Sequence, residues 1–116
     1  MFMSRHDPAV SLRQILTHAT EAVELSRGKS RTDLEDDRLL NLALTRLLEI
    51  IGEAANRVPD DVQAQYSQLP WMQMIGLRNR LIHGYDQVDF DILWVIVTQD
   101  LPALISQLEN IMRVDG

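Results

Sequence analysis

Residues 76–85 read Gly-Leu-Arg-Asn-Arg-Leu-Ile-His-Gly-Tyr, and this stretch determines how the rest of the chain is interpreted. Its apolar residues, Leu77, Leu81 and Ile82, can attach it to a hydrophobic core. Its polar residues do not form a face that could be buried without partners, because an unpaired polar group in a core is costly. The stretch therefore combines an anchored side with an accessible polar side, as a functional site requires.

The spacing predicts a helix from Trp71 to His83, with Gly84 in the position where a glycine commonly ends a helix. Arg78 and His83 are five residues apart, so on a regular helix they would point about 140° away from each other. One chain could not easily hold one small group with both side chains. A site shared across a two-fold axis, to which each copy contributes both residues, removes that difficulty.

The residue types in this stretch indicate a class of chemistry. Histidine can act as general acid or base near neutral pH. Arginine stays protonated and presents a planar fork to phosphate oxygens. With a hydroxyl group nearby on Tyr85 and no acidic residue in the stretch, the set suits cleavage of a phosphodiester without a metal or other cofactor.

Length and composition place the chain among ordinary globular proteins. Its 116 residues fit one domain, and its 46% hydrophobic and 24% charged residues are typical of soluble proteins. The absence of cysteine excludes disulfides and cysteine-based zinc sites. The longest apolar run, Ile92 to Val97, is far shorter than the ~20 residues of a membrane span. Residues 1–7 lack the apolar core of a signal peptide, so we expect a cytoplasmic protein without membrane contact.

The net charge of −6 argues against a general nucleic-acid binder, which must neutralise phosphates. The acidic residues are unevenly distributed, however, since none occurs from Val62 to Tyr85, where Arg78 and Arg80 lie. A small basic area on an acidic body fits a recessed active site better than a broad binding face. The acidic remainder could bind a basic protein partner.

Capping signals divide the chain into helices. Asp7 and Pro8 start the first, which Gly28 ends, and residues 1–6 are expected to be flexible. Thr32 to Glu35 match a capping box and predict a long helix over residues 33–57. A short helix over residues 61–67 and a last helix over residues 90–112 complete the set, the last capped near Asp89 and distorted near Asp100 by Pro102. We therefore predict an all-α single domain, an antiparallel bundle of four long helices and a short one.

Several residues allow two interpretations. Gly52, within a long helix, indicates a close helix crossing or, alternatively, a bend. Glu49 and Glu53, four residues apart, resemble paired carboxylates, but a solvated helix face is favoured because no histidine at ligand spacing accompanies them. Trp71 is interpreted as a packing anchor rather than a platform for stacking bases.

The sequence resembles the HEPN ribonuclease superfamily, and more closely its HepT-like toxins. The resemblance rests on Arg-Asn-Arg-Leu-Ile-His followed by Gly-Tyr at residues 78–85, on Ile-Gly-Glu-Ala-Ala at residues 51–55, and on Leu-Pro-Trp at residues 69–71. With the order of the helices, it covers nearly the whole chain.

The resemblance implies a homodimer in which two motifs form one composite cleft. It implies metal-independent endoribonuclease cleavage, with the 2′-hydroxyl as nucleophile and a cyclic phosphate product. Arg78 would bind the scissile phosphate, His83 would transfer protons, and Asn79, Arg80 and Tyr85 would position the RNA. The partner would be a minimal nucleotidyltransferase antitoxin that attaches AMP to Tyr85.

Three other interpretations remain open from the sequence. The same dimer could be a non-catalytic module that binds a nucleotide, RNA or protein. The chain could also be a plain helical bundle in which His83 caps a helix and Arg78 makes surface ion pairs. A metalloenzyme is least favoured, because no second ligand stands at a useful spacing from His83.

Overall fold

The computed structural model describes residues 7–84 and 87–115. The flexibility expected of residues 1–6 and the roles expected of Tyr85 lie outside these residues. The described elements, in chain order, are helices α1 (Pro8–Ser26), α2 (Arg31–Asp36), α3 (Arg38–Asn56), α4 (Asp60–Gln65), α5 (Trp71–Ile75) and α6 (Leu77–Leu81), strands β1 (Ile82–His83) and β2 (Gln87–Val88), helix α7 (Phe90–Val95), a π-helical turn (Ile96–Asp100) and helix α8 (Leu101–Asp115). The predicted all-α class is confirmed. Within the described ranges, no helix has the length and apolarity needed to cross a membrane.

The core lies between α1, α3 and the long last helical segment. Helix α1 packs along α3 and also against α8, and α3 in turn contacts α5 and α6 on its other side. Ile15 of α1, Leu44 of α3 and Leu108 of α8 are fully buried in this core. Helix α3 is thus the central helix, and its apolar residues, which are spread more widely than one stripe, contact neighbours on more than one side.

The predicted helix over residues 33–57 is wrong as one element, because the chain breaks at Asp37. The capping box is formed by Ser30 and Asp33, two residues earlier than expected, and it starts the short α2. Asp37 has extended backbone angles and its carboxylate accepts a hydrogen bond from the backbone of Leu40, so it begins α3 anew. The side chain of Asn41, which is buried, donates to the backbone oxygen of Leu34 at 3.0 Å and holds α2 against α3.

Other local predictions are confirmed. Asp7 caps α1 with Pro8 at its first turn, and Gly28, with φ of 75°, follows the end of that helix. Asp89 caps α7 by accepting a hydrogen bond from the backbone N–H of Ile92 at 3.1 Å. The distortion expected near Asp100 is the π-helical turn, which directly precedes α8 and its Pro102.

Gly52 marks a close helix crossing, as the first interpretation proposed. A Cβ at Gly52 would lie 3.1 Å from the backbone oxygen of Met74 and 3.5 Å from that of Ile75. Trp71, 7% exposed, begins α5 beside this crossing, and its indole Nε1 donates to the backbone oxygen of Tyr66 at 2.9 Å. This burial supports its interpretation as a packing anchor.

Candidate active site

The motif helix is interrupted at Gly76, where α5 ends and α6 begins. A Cβ at this position would lie 3.1 Å from the backbone oxygen of Met72. Leu77 and Leu81 then bury one side of α6, with exposures of 4% and 1%. Because these two residues are four apart on one face, the polar residues between them face outward.

Arg78 is held by α3. Its Nε donates to Oε2 of Glu49 at 3.1 Å, and the two side chains are 59% and 25% exposed. Arg46 lies 3.5 Å from the carboxylates of both Glu49 and Glu53, which extends the pair into a chain of alternating charge. Ion pairs at this exposure contribute roughly 0–1 kcal/mol, so Glu49 orients the guanidinium without making it unavailable to another anion.

A cleft of about 250 Å³ opens beside this ion pair. Glu49, Glu53 and Asn56 of α3 line one wall, and Ile75, Arg78 and Asn79 line the other. Gly52 forms the floor, because its missing side chain lets the two walls approach each other. The cleft therefore combines Arg78 and Asn79, two of the residues that the sequence singled out.

His83 lies on a short hairpin, and its predicted position as the last residue of a helix is wrong. Helix α6 ends at Leu81, and β1 pairs antiparallel with β2, with Ile82 opposite Val88 and His83 opposite Gln87. Pairing with a later segment replaces the last helical turn here, which the helical pattern of residues 71–83 could not reveal. Gly84, with φ of 71°, belongs to the turn of the hairpin rather than to a helix terminus.

Asp89 orients His83 from the other end of the hairpin. Its Oδ2 lies 3.3 Å from Nε2 of His83, while its backbone N–H donates to the oxygen of Leu81 at 2.8 Å. The hydrogen bond from Ile92 is the main cause that lowers the pKa of the Asp89 carboxyl, burial opposes it, and His83 adds to it. A proton on Nε2 can be donated to this carboxylate, which leaves Nδ1 as the acceptor in the neutral ring.

Arg80 faces a different part of the surface. Its NH1 lies 3.4 Å from Oδ2 of Asp100, and it lines a second cavity, between α5–α6 and the π-helical turn with α8. Arg78 and Asn79 thus share one cleft and Arg80 a second one, while His83 lines neither. Within a single copy, the described residues do not assemble the predicted site as one pocket.

Two carboxylates contact the motif in ways that the sequence does not predict. Glu49, expected on a solvated face, pairs with Arg78, and Asp89, expected only to cap a helix, also contacts His83. The contact of Glu49 could have been inferred from Gly52. A helix that crosses α3 closely at Gly52 also passes near Glu49, which lies about one turn earlier on α3. Within residues 7–84 and 87–115, no three histidine or carboxylate side chains come together in a way that could hold a metal.

Comparison with known proteins identifies the family. The family model described as Ribonuclease HepT-like matches residues 12–111. The chain belongs to the HepT-like ribonuclease family. Among relatives, "Putative RNase MJ1380" of Methanocaldococcus jannaschii is 35% identical over 107 residues, which cover 92% of this chain and 98% of that protein. "Probable ribonuclease HepT" of Thermococcus cleftensis is 35% identical over 107 residues, 89% of this chain and 97% of its own.

A further relative, "Putative RNase TTE0752" of Caldanaerobacter subterraneus, is 34% identical over 106 residues, with 91% of this chain and 95% of its own length covered. No solved structure matches the chain significantly. The family match runs from within α1 to within α8 and includes α3 and the motif, so the HepT-like resemblance inferred from the sequence is confirmed.

Proposed function

We propose that this chain is a metal-independent endoribonuclease toxin that cleaves RNA in a composite cleft of a homodimer. Membership of the HepT-like ribonuclease family supports the reaction class. The observation that carries the proposal is the exposure of Arg78 and His83 together with the carboxylate that contacts each of them. Arg78 and His83 are 59% and 58% exposed, and each is oriented by one carboxylate from a neighbouring element. The plain-bundle alternative also expected a surface ion pair of Arg78, but its helix-capping role for His83 does not fit, because His83 lies on β1 beyond the end of α6.

In the proposed reaction, Arg78 binds the non-bridging oxygens of the scissile phosphate, and Asn79 supports it from the same cleft wall. His83 takes the proton of the 2′-hydroxyl on its free nitrogen. The 2′-oxygen then attacks phosphorus, and the bond to the 5′-oxygen breaks as that oxygen accepts a proton, donated by His83 of the second copy. The products are a 2′,3′-cyclic phosphate and a 5′-hydroxyl. The Asp89 carboxylate keeps the imidazole of His83 in the required orientation.

The surface around the Arg78 cleft supports pairing of two chains. Leu39, Leu42, Arg46, Glu49 and Glu53 follow one another at helical spacing on one face of α3. Leu39 and Leu42 are 80% and 48% exposed at one end of this face. Met72 and Ile75, 83% and 37% exposed, lie on α5, which crosses the other end at Gly52. These exposed apolar side chains at both ends of a charged face would lose contact with water if the same face of a second copy packed against them.

A two-fold axis through the charged centre would pair these ends. In such an isologous contact, the leucines of one copy would meet Met72 and Ile75 of the other, and the reverse contact would follow by symmetry. The two Arg78 side chains and the two His83 side chains would then border one common space. We propose that the composite cleft forms in this way, since one copy alone does not bring the motif together.

Tyr85 is the proposed point of control. It follows His83 by two residues in the sequence, and we propose that a group attached to its hydroxyl would occupy the space that the RNA needs. We propose that a minimal nucleotidyltransferase antitoxin transfers AMP to this hydroxyl. The added phosphate would place negative charge where the substrate phosphate binds. The acidic body of the chain, with its net charge of −6, offers such a partner a surface for charge-complementary docking.

The test is RNA cleavage in the presence of EDTA by the wild type, Arg78→Ala and His83→Ala. We expect cleavage by the wild type, with losses of about 10²–10³-fold for the arginine and 10²–10⁴-fold for the histidine. Arg113→Ala and His18→Ala, which lie outside the motif, serve as matched controls and should retain the wild-type rate. RNA binding without cleavage by any variant would favour the non-catalytic module instead.

A further inference from the structure

The second cavity, which Arg80 borders, is twice as large as the Arg78 cleft. Its volume is about 500 Å³, within the range of small-ligand sites. It lies between α5–α6 and the π-helical turn with α8. Its inner surface is apolar, with Met74, Leu77 and Leu104 buried beneath it, while glutamines and Arg80 form much of its rim. An apolar base with amides at the edge suits a flat ligand that carries hydrogen-bonding groups on its perimeter.

The guanidinium of Arg80, the positive charge at this cavity, makes only a weak ion pair with Asp100. Arg80 and Asp100 are 38% and 44% exposed, and their closest atoms are 3.4 Å apart, near the limit of a hydrogen bond. A phosphate could form shorter charge-assisted bonds with the same guanidinium, at about 2.7–2.9 Å. Arg80 is thus available to an anion that enters the cavity.

The amides of the rim match the edge of a nucleobase. Gln73 and Gln99 are exposed and border the cavity from α5 and from the π-helical turn. A glutamine amide presents a donor and an acceptor side by side, the pattern that reads adenine in a bidentate manner. The π-helical turn inserts extra backbone here and brings Gln99 and Asp100 to the rim, as such turns often do at functional sites.

The position relative to Arg78 connects the cavity to RNA. Arg78 and Arg80 are two residues apart on α6, so they project on roughly opposite sides of a helix about 10–12 Å wide. A single strand that crosses α6 can place the scissile phosphate at Arg78 and a phosphate further along the strand at Arg80. No acidic residue occurs between Val62 and Arg80 in the sequence, so the carboxylates with which the phosphates must compete come from other segments, Glu49 at Arg78 and Asp100 at Arg80. Unpaired RNA bases can also turn out of the strand into a pocket.

We propose that this cavity is a nucleotide subsite of the ribonuclease, which takes one unpaired base of the RNA beyond the cleaved dinucleotide, with the phosphate of that nucleotide on Arg80. The proposal rests on the proposed ribonuclease function. It adds that the enzyme recognises a base outside the cleaved dinucleotide. Sequence preference of cleavage would then originate, in part, from Gln73 and Gln99.

The test compares steady-state cleavage of two RNA substrates. One is a fluorescent oligoribonucleotide in which each base is varied in turn, and the other is a dinucleotide that has no further base. The variants are the double substitution Gln73→Ala with Gln99→Ala, and Ala103→Trp, which fills the cavity from an exposed position. Gln65→Ala and Arg13→Gln are matched controls, because both exposed residues line another cavity, between α1, α4 and α8.

For the oligonucleotide, we expect both cavity variants to raise KM roughly five- to tenfold, the low end of one bidentate base contact, with kcat unchanged. The double variant should also reduce the preference for one base at one position. The dinucleotide should be cleaved equally by the wild type, the variants and the controls.

Unchanged KM and base preference in variants that still cleave would overturn the subsite but leave the ribonuclease proposal intact. Loss of cleavage of the dinucleotide would also contradict the subsite, since it would show damage to the catalytic cleft. If the cavity variants cleave normally but no longer bind a nucleotidyltransferase partner, the cavity is a protein-binding surface and the proposal is wrong. A wild type that cuts no RNA would refute the proposed function, and the subsite with it.

Discussion

Nε of Arg78 on α6 donates to Oε2 of Glu49 on α3 at 3.1 Å. The arginine that we propose to bind the scissile phosphate is therefore already paired with a carboxylate. The substrate must compete with this carboxylate, which also keeps the guanidinium in place. We expect Glu49→Gln to tighten RNA binding by about two- to fivefold, the effect of removing a partly exposed opposing charge. The same change should lower kcat, because Arg78 loses the contact that orients it.

Glu53→Gln is the matched control for that experiment. It removes an equal charge from the same cleft wall, but Glu53 pairs with Arg46 rather than with Arg78. Binding titrations and single-turnover rates for the two variants separate charge from orientation. Equal kcat values in both variants would show that Glu49 does not position Arg78.

The sequence predicted part of the local capping and turn chemistry, although the capping box lies two residues earlier than expected and Gly84 does not end a helix. Some helix ends depend only on residues close to them in the sequence, so residue type was enough to predict these ends. This holds for Asp7, Gly28 and Asp89. Gly52 was also interpretable, because a glycine in a helix has few reasons other than a close contact.

Features that depend on distant segments could not be predicted from local patterns. The end of α6 at Leu81 follows from pairing of residues 82–83 with residues 87–88, and from the bond between the backbone of Asp89 and Leu81. The break at Asp37 depends in part on Asn41, whose side chain contacts the backbone of Leu34 across the break. The contact of Glu49 with Arg78 joins residues 29 positions apart, and no spacing rule indicates it.

Asp89 has two roles that one substitution can separate. Asparagine is as good a helix cap as aspartate, so Asp89→Asn should preserve α7. Its amide can, however, donate to Nε2 of His83 and select the tautomer in which Nδ1 carries the proton. We expect kcat to fall at least about tenfold, because histidine catalysis depends strongly on the tautomer. RNA cleavage measured beside circular dichroism tests this.

Asp91→Asn provides the control for Asp89. Asp91 lies in the same first turn of α7, but its carboxylate contacts Arg31 at 2.5 Å and not His83. It should cleave RNA at the wild-type rate. If the rate of RNA cleavage fell equally in Asp89→Asn and Asp91→Asn, the cause would be a change in helix α7 and not in His83.

The lowered pKa of Asp89 predicts a pH dependence of stability. Since the pKa is lower in the folded chain than in the unfolded one, the carboxylate stabilises the fold above about pH 4 and loses this effect as the pH falls through the folded value. The stability difference between the wild type and Asp89→Asn should therefore shrink on acidification from neutral pH. Urea unfolding at several pH values measures it, and a difference that stays constant down to about pH 2 would contradict the assignment.

The crossing at Gly52 predicts a graded response to side-chain size. Gly52→Ala gains about 1 kcal/mol in helix propensity but brings Cβ 3.1 Å from a backbone oxygen, so we expect a net change within about 1 kcal/mol. Gly52→Leu cannot fit without moving α5 and should destabilise the chain by about 1–3 kcal/mol. Chemical unfolding of both variants tests this, and a leucine variant as stable as the wild type would show that the helices do not cross closely.

The central claim is that pairing of two chains creates the site, and Leu39→Arg tests it most directly. Leu39 is 80% exposed on the proposed contact face, so the change should not disturb folding, whereas Leu25→Arg changes a 39% exposed leucine on α1 as a control. Light scattering and RNA cleavage should be measured on the same samples. We expect the wild type and the control to show twice the chain mass of 13.3 kDa and to cleave RNA. Leu39→Arg should show the single mass and no cleavage, although Arg78 and His83 are intact, and a monomer that cleaves at the wild-type rate would contradict the account.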